Sequence, residues 1–168
     1  AGIATGMAAT AARLAREIGR GRARLSVSVS SYVPKAHTPF EMEPFAGATT
    51  LRARQRLVRD AVPRGVRVAF HDVAASLVEA TLARGGPGTD RLVEAAWRRG
   101  ARFDGWSEHF DVRRWEDAAA ATGVSLGEAG VARPYWRDAV EARLSPAFLE
   151  EELGRARAGE LTEDCRDG

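Results

Sequence analysis

The sequence predicts an α/β fold, namely the C-terminal part of a partial (β/α) barrel with parallel strands, followed by a helical extension. Two segments, about residues 24–33 and 66–71, alternate apolar with polar or small residues as strands do. The connection between them is too long for a hairpin and has helical periodicity, which predicts parallel strands joined by a right-handed crossover. Each strand has one apolar face and one polar or small face, whereas an open sheet between helices would be apolar on both faces. This difference favours a barrel or part-barrel with a polar lumen.

The N-terminal segment predicts an amphipathic helix over residues 3–18, because apolar residues recur there at steps of three and four. Gly19 and Gly21 end this helix, and the first strand follows. Three serines on one face of a strand pack poorly against helices, so we expect that face to line a cavity. The apolar face carries Leu25, Val27 and Val29, and the polar face carries Ser26, Ser28 and Ser30.

The next elements complete the βα pattern. Thr49 or Thr50 is the expected cap of a helix that runs to Val62, where Pro63 and Gly65 end it. After the second strand, Asp72 caps a helix that ends at Arg84. The second strand itself has side chains on two faces. The two sets are Val66, Val68 and Phe70 on one face, and Arg67, Ala69 and His71 on the other.

The composition changes after Gly88 and predicts two domains: a barrel segment over 1–88 and a helical C-terminal extension over 89–168. Four aromatic residues of the extension have the spacing of core residues in small helices. The first two expected helices are 89–99, with Thr89 as cap, and about 111–121, with Asp111 as cap. A third is expected over about 134–143. The last begins after Ser145 as cap, has Pro146 in its first turn and runs to about residue 158. The expected core aromatics are Trp97, Phe103, Trp106 and Trp115.

The charges are nearly balanced, with 25 basic and 23 acidic residues and a net charge of +2. The arginines alternate with acidic residues along helices, so a dedicated nucleic-acid surface is only weakly supported. A single cysteine excludes an internal disulfide. No apolar run reaches the length of a membrane span, and no signal peptide opens the chain, so we expect a cytoplasmic protein. Both ends of the chain suggest a fragment.

Titratable and hydrogen-bonding side chains follow both predicted strands. Lys35, His37 and Thr38 come after the first strand, and His71 and Asp72 come at the end of the second. If the strands are parallel neighbours, these residues share one rim, about 5–10 Å apart. Imidazole transfers protons near neutral pH, and a lysine neutralises an anionic group. In the alternative interpretation Thr38 and Pro39 make a turn, His37 bonds a backbone carbonyl, and Asp72 only caps a helix.

The three histidines raise a metal hydrolase as a further alternative. His37, His71 and His109 have no pair at the i, i+3 or i, i+4 spacing that holds two ligands on one helix. This spacing disfavours a metal site.

Several motifs, in order along most of the chain, resemble the C-terminal half of a family of uncharacterised radical S-adenosylmethionine proteins with an N-terminal cobalamin-binding-type domain. The most specific are the strings at 33–40 and 102–106. The full set is Val-Ser-Ser-Tyr-Val-Pro-Lys-Ala-His-Thr-Pro-Phe at 29–40, His71-Asp72, Ser76-Leu77, 82–85, 101–110, Trp115 and 161–166.

The resemblance implies a part-barrel and a [4Fe–4S] cluster that cleaves S-adenosylmethionine reductively, giving a radical that takes hydrogen from an unknown substrate. It also raises cobalamin as a cofactor. The cluster-binding cysteines would lie in a missing N-terminal half of the same polypeptide, so the chain is expected to be inactive alone. Cys165 resembles the first metal ligand of a cysteine-rich end. We assign Lys35, His37 and His71 as candidate catalytic residues and Ser28, Ser30 and Thr38 as candidate cofactor-binding residues.

The chain also departs from this family. Glu41 and Met42 stand where the family tends to have Gln-Trp, Gly86 stands where it tends to have an acidic residue, and the segment 133–138 matches only loosely. These departures indicate an altered substrate pocket. The alternative function is a non-catalytic RNA- or protein-binding module, for which salt-sensitive RNA binding would be expected.

Overall fold

A computed structural model describes residues 2–18, 25–127 and 135–163 of the chain. Within these residues the fold is α/β and mainly helical, with two parallel strands, as the sequence predicts. None of the described helices has the length and hydrophobicity needed to cross a membrane. The elements in order are α1 (Gly2–Ile18), β1 (Leu25–Val29), α2 (Gly47–Ala61), β2 (Val66–Phe70), α3 (Val73–Arg84), α4 (Thr89–Arg98), α5 (Val112–Thr122), α6 (Trp136–Ala139) and α7 (Pro146–Ala158).

The two strands pair in parallel, which confirms the expected topology. Val27 lies opposite Val68, and Ser28 lies opposite Ala69. Because paired residues of neighbouring strands point to the same face, the apolar and the polar residues form separate rows. Val27, Val68 and Phe70 are half-buried, whereas Ser28 and Ala69 are exposed.

The chain divides into two compact units. The first comprises Ala1–Tyr32 and Ala46–Leu77, and the second comprises Val33–Phe45 and Val78–Gly168. Both strands, α1 and α2 belong to the first unit. The boundary predicted after residue 88 falls inside the second unit, and it remains a prediction.

In the first unit, α1 contacts α2 and β1. The helix itself is confirmed, but the side chains of its expected apolar face are not covered. Ile3 is 83% exposed and Met7 67% exposed, while Ala8 is completely buried. Apolar patches of this kind are typical of surfaces that contact another segment or partner.

The second unit has a hydrophobic core in which α4 packs on α5. Leu92 and Ala96 of α4 are completely buried, as is Ala118 of α5. Trp115 also belongs to this core, and its Nε1 donates a 2.8 Å hydrogen bond to Asp104 Oδ2. The core is therefore formed mostly by small side chains around one tryptophan.

The prediction of four core aromatics was right only for Trp115. Trp97, Phe103 and Trp106 are between 55% and 70% exposed. Trp97 lies on the outer side of α4, where the guanidinium of Arg102 stacks on its ring at 4.4 Å. Spacing alone could not distinguish this outer side from the buried one.

Three of the expected helix caps are confirmed by side-chain hydrogen bonds. Asp72 Oδ1 accepts from Ala75 N, Asp111 accepts from Arg113 N, and Ser145 accepts from Phe148 N. These bonds satisfy amide groups that the first turn of a helix leaves without partners. Pro146 occupies the first turn of α7, as expected.

Other expected helix ends were wrong. α2 begins at Gly47, so Thr49 and Thr50 lie inside its first turns, and no side chain caps it. α4 is preceded by Gly88 in the left-handed conformation, and the Thr89 hydroxyl donates to Gly86 O. The helix expected over 134–143 is observed only as α6, four residues long, within the described part of that segment.

Candidate functional site

The C-terminal ends of the two strands lie side by side. His71 N donates a 3.0 Å hydrogen bond to Val29 O, which continues the pairing one residue beyond β2. Ser30 and His71 are therefore the next residues of two adjacent strand ends, and both are exposed. The structure thus brings these two predicted site residues together, with Ser28 one step back on the same face of β1.

A cleft of about 480 Å³ opens beside this strand end, between β1 and α2. Its walls are mainly apolar, with Arg54 and Gln55 of α2 as polar groups at the lining. Such a cleft fits a ligand with an apolar body and an anionic or hydrogen-bonding group. We call it the β1 cleft, and its lining residues are Val29, Ser30, Ser31, Tyr32, Leu51, Arg54, Gln55, Leu57 and Val58.

His71 is held by contacts from three directions. Its N–H donates to Val29 O, and its carbonyl accepts a 3.0 Å hydrogen bond from Gln55 Nε2. Its ring Nδ1 lies 2.9 Å from Ser76 Oγ, and Ser76 is completely buried. The imidazole is thus hydrogen-bonded through Nδ1, while the residue as a whole stays exposed.

The loop that carries Lys35 and Thr38 belongs to the second unit. Lys35 Nζ forms an ion pair with Glu79 Oε1 at 2.5 Å, and both side chains are 44% exposed. The Thr38 hydroxyl donates to Lys35 O at 2.8 Å, and Glu41 N donates to Thr38 O at 3.0 Å. Thr38 therefore has a local turn bond, as the alternative interpretation of this loop expects, and its role in cofactor binding stays a prediction.

His37 lies in the same loop with a positive φ of 60°. This conformation is uncommon for a residue other than glycine, and a hydrogen bond from His37 N to Glu41 Oε2 at 2.9 Å stabilises it. The ring Nε2 lies 3.2 Å from Trp136 O, so Nε2 carries the proton and donates. His37 also lines a cleft of about 220 Å³ with residues of the 137–149 segment.

Glu41 is the centre of a buried polar cluster that the sequence analysis missed. Its side chain is only 2% exposed and pairs with Arg137, whose side chain is 15% exposed. Its carbonyl accepts a 2.8 Å hydrogen bond from Arg84, which also donates to Pro34 O. The cluster joins the loop to α3 and α6, and neutralises the buried carboxylate.

Ser76, Gln55 and the Glu41 cluster had little signal in the sequence. A serine inside a helix and a glutamine on an amphipathic helix are ordinary residues in those positions. The partner of Glu41 lies far along the chain, so no local spacing could indicate it. The two available signals were the Ser76-Leu77 motif and the departure of Glu41-Met42 from the Gln-Trp of the predicted family.

The candidate site residues fall into the two units. Ser28, Ser30 and His71 belong to the first, and Lys35, His37 and Thr38 to the second. The predicted common rim and the individual roles therefore stay predictions. Cys165 lies outside the described residues, within which no three His, Cys, Asp or Glu side chains are grouped as a metal site would require.

The fold and the site define an α/β protein with a parallel strand pair, an exposed polar strand face and a cleft at the end of β1. Comparisons with protein-family models, with curated proteins and with solved structures give no match to this chain.

Proposed function

We propose that this chain is part of a radical S-adenosylmethionine protein, in which β1 and β2 belong to a partial (β/α) barrel and their polar face lines its cavity. The observation that carries the proposal is the parallel strand pair with an exposed polar face ending at Ser30 and His71. In parallel barrels, functional groups lie at the C-terminal ends of the strands. The motifs around Lys35, His71 and Trp106 add the family resemblance.

Exposed apolar residues in the first unit also support a larger assembly. Ile3 and Met7 of α1 and Leu57 of α2 are 59% to 83% exposed. In a barrel with further strands and helices, neighbouring elements would cover such side chains. The polar strand face would remain uncovered, because it faces the cavity.

The described residues fit the implied cofactors only in part. An iron–sulfur cluster is held by cysteine thiolates, and the chain's single cysteine, Cys165, is outside the described residues. The described residues therefore do not fit the cluster, and we derive no chemical step through it. The β1 cleft, with apolar walls and Arg54 at its lining, fits a ligand that has an apolar ring and an anionic group.

The first test concerns the coding sequence upstream of Ala1. We expect an open reading frame that encodes a cysteine triplet with the spacing of a cluster-binding loop. A start codon close to Ala1 with no such triplet would contradict the proposal.

The second test uses the polypeptide that this reading frame encodes, reconstituted anaerobically with iron and sulfide. We expect an absorbance typical of a [4Fe–4S] cluster and release of 5′-deoxyadenosine. His71→Gln should reduce this release by about 10²-fold or more with the cluster retained, because it removes the candidate proton-transfer group at the end of β2. His109→Gln, at an exposed histidine of the second unit, should not reduce it. A reconstituted protein without a cluster would reject the proposal.

A second candidate function, a non-catalytic RNA-binding module, is favoured by the exposed aromatic residues of the second unit. Phe103 is 70% exposed with a positive φ of 56°, and it contacts Trp106 and His109 edge-on or tilted at about 6 Å between ring centroids. Exposed aromatic rings beside arginines can stack on unpaired bases. Arg102, on the face of Trp97, supplies a nearby cation.

Fluorescence anisotropy with a single-stranded RNA oligonucleotide tests this second candidate. If it is right, Trp106→Ala should weaken binding by roughly 5- to 150-fold, the range for loss of one stacked base. Phe148→Ala is the control, because Phe148 is 46% exposed on α7 and outside the aromatic cluster. Binding that is absent at low salt, or equally affected by both variants, would exclude it.

A further inference from the structure

The contacts of Ser76 determine where the proton of the His71 ring lies. Ser76 Oγ is 2.9 Å from two groups: the carbonyl oxygen of Asp72, one turn earlier in the chain, and Nδ1 of His71. A hydroxyl has one hydrogen to donate, and a carbonyl oxygen can only accept. Asp72 O also accepts a 3.1 Å hydrogen bond from Ser76 N. The arrangement that makes both contacts of Ser76 Oγ hydrogen bonds has the hydroxyl donating to Asp72 O and its oxygen accepting from His71 Nδ1–H.

We infer that Ser76 is a positioning residue that holds His71 in the Nδ1–H tautomer and leaves Nε2 as an open acceptor for an O–H or N–H group of a ligand at the end of β1. In a neutral imidazole only one nitrogen carries a proton, so protonation of Nδ1 leaves a lone pair on Nε2. The inference rests on the proposed function only for the place of this ligand. The tautomer is inferred from the contacts of Ser76 and does not depend on that function.

The surroundings of His71 leave Ser76 as the group that selects the tautomer. The carboxylate of Asp72 caps α3 through a 2.9 Å hydrogen bond from Ala75 N. The backbone N–H of His71 donates to Val29 O, and its carbonyl accepts from Gln55 Nε2. Both backbone groups of His71 are therefore hydrogen-bonded, which fixes the position from which the ring extends. A buried hydroxyl on the first turns of α3 thus orients an exposed ring at the strand end.

The predicted tautomer is opposite to that of His37. Nε2 of His37 faces the carbonyl of Trp136 at 3.2 Å and must be the donor. Free histidine side chains also favour protonation at Nε2, so the Nδ1–H form of His71 requires a specific cause. One spectrum can therefore contain both the test residue and an internal reference.

Long-range ¹H–¹⁵N NMR of the ¹⁵N-labelled chain at mildly alkaline pH, where imidazoles are neutral, tests the inference. His71→Gln, His37→Gln and His109→Gln assign the three rings of the chain. We expect a protonated-type shift at Nδ1 and an unprotonated-type shift at Nε2 for His71, with the reverse pattern for His37. A wild-type His71 ring protonated at Nε2 would overturn the inference.

Two substitutions isolate the role of Ser76. Ser76→Ala should move His71 toward the Nε2–H form, whereas Ser76→Thr, which keeps the hydroxyl, should preserve Nδ1–H. Ser107→Ala, at an exposed serine of the second unit, is the control and should change neither ring. An unchanged tautomer in folded Ser76→Ala would reject Ser76 as the determinant.

The NMR result does not depend on the proposed cofactors. Failure of cluster assembly would remove the radical S-adenosylmethionine proposal and leave the tautomer measurement intact. Conversely, an Nε2–H ring in a protein that does release 5′-deoxyadenosine would reject this inference alone. If Ser76→Ala does not fold, the wild-type spectrum still decides the tautomer. A His71 ring that changes tautomer in Ser76→Thr, where the hydroxyl is kept, would reject Ser76 as its determinant.

Discussion

At the scale of single residues, the most consequential contact is the buried ion pair between Glu41 and Arg137. A buried carboxylate costs several kcal/mol unless a cation and hydrogen-bond donors satisfy it. Here Arg137 supplies the cation and the N–H of His37 supplies a donor. The pair therefore holds the His37 loop against α6 within the second unit.

Removal of the Glu41 carboxylate should be strongly destabilising. We expect Glu41→Ala to lower the free energy of unfolding by about 3–5 kcal/mol, because it leaves the Arg137 cation without its partner. Glu41→Gln should cost less, since the amide oxygen can still accept from His37 N. Urea denaturation provides the measurement. The control is Glu151→Ala, at an exposed pair with Arg155, where a loss of at most about 1 kcal/mol is expected.

Asp111, the cap of α5, should titrate below its usual range. Hydrogen bonds from the side chain and backbone of Arg113 hold the pKa of Asp111 below its usual value of 3.8, and the side-chain hydrogen bond raises the pKa of Arg113 above its usual value. A lowered pKa in the folded state means that the stabilisation from Asp111 is present above its unfolded pKa and is lost as the pH falls through the folded pKa.

The carboxyl ¹³C shift of Asp111, followed by NMR, should have its midpoint below 3.8. Asp111→Asn should keep the cap and remove this part of the acid dependence of stability below about pH 4. A midpoint at or above the usual value would contradict the role of Arg113.

At the scale of elements, the junction between α3 and α4 requires a residue without a side chain at position 85. A Cβ at Gly85 would lie 2.4 Å from the carbonyl oxygen of Thr81 and 2.5 Å from Thr89 Oγ1. The first of these atoms belongs to the backbone of α3 and cannot move without disturbing the end of that helix. Close approach therefore explains this glycine.

Gly85→Ala should therefore destabilise the protein by about 1–3 kcal/mol, the usual cost of overpacking. The matched control is Gly154→Ala in α7, where a Cβ would meet no heavy atom within 4 Å. Alanine is the better helix former, so this control should stabilise the protein by about 0.5–1 kcal/mol. Thermal unfolding of both variants gives the comparison, and equal effects would argue against the clash.

Some signals in the sequence were sufficient to predict the strands, their pairing and the helix caps, and others were not. The alternation in the two strand segments predicted β1, β2 and their parallel pairing, since a long connection leaves few other topologies. Asp111 and Ser145 were recognisable caps because each precedes an apolar helical period. Thr49, Thr50 and Thr89 were not caps, because Ala46 and Gly88 occupy the cap positions of α2 and α4 and neither helix has a side-chain cap bond.

At the scale of the whole molecule, composition and spacing did not determine which apolar residues are covered. The Ala-rich faces of α4 and α5 form the core around Leu92 and Trp115, and the larger rings of Trp97 and Phe103 remain outside. Small side chains let two helices approach closely, so bulk was a poor indicator of burial here. The candidate site was also predictable only in part. The positions of Ser30 and His71 at the strand ends follow from strand periodicity, whereas the contacts of Ser76 and Gln55 with His71 are seen only in the tertiary structure.

The uneven distribution of buried residues predicts uneven protection from hydrogen exchange. The second unit contains the buried cluster of Leu92, Ala96 and Ala118, whereas Ile3 and Met7 leave α1 largely uncovered. Amides with few buried apolar contacts near them open with the smallest free energies. We therefore expect amides of α4 and α5 to exchange slowest and those of α1 fastest, as measured by mass spectrometry.

Leu92→Ala tests whether this core sets the protection of its own unit. The completely buried Leu92 side chain should cost about 2–5 kcal/mol when truncated, and exchange in α4 and α5 should accelerate accordingly. Leu57→Ala is the control, because Leu57 is 59% exposed and its removal should change exchange little. If α1 proves as protected as α4 in the unmodified chain, a partner or a further segment covers Ile3 and Met7. The exposed face of α1 described above would then be an interface that is occupied in solution.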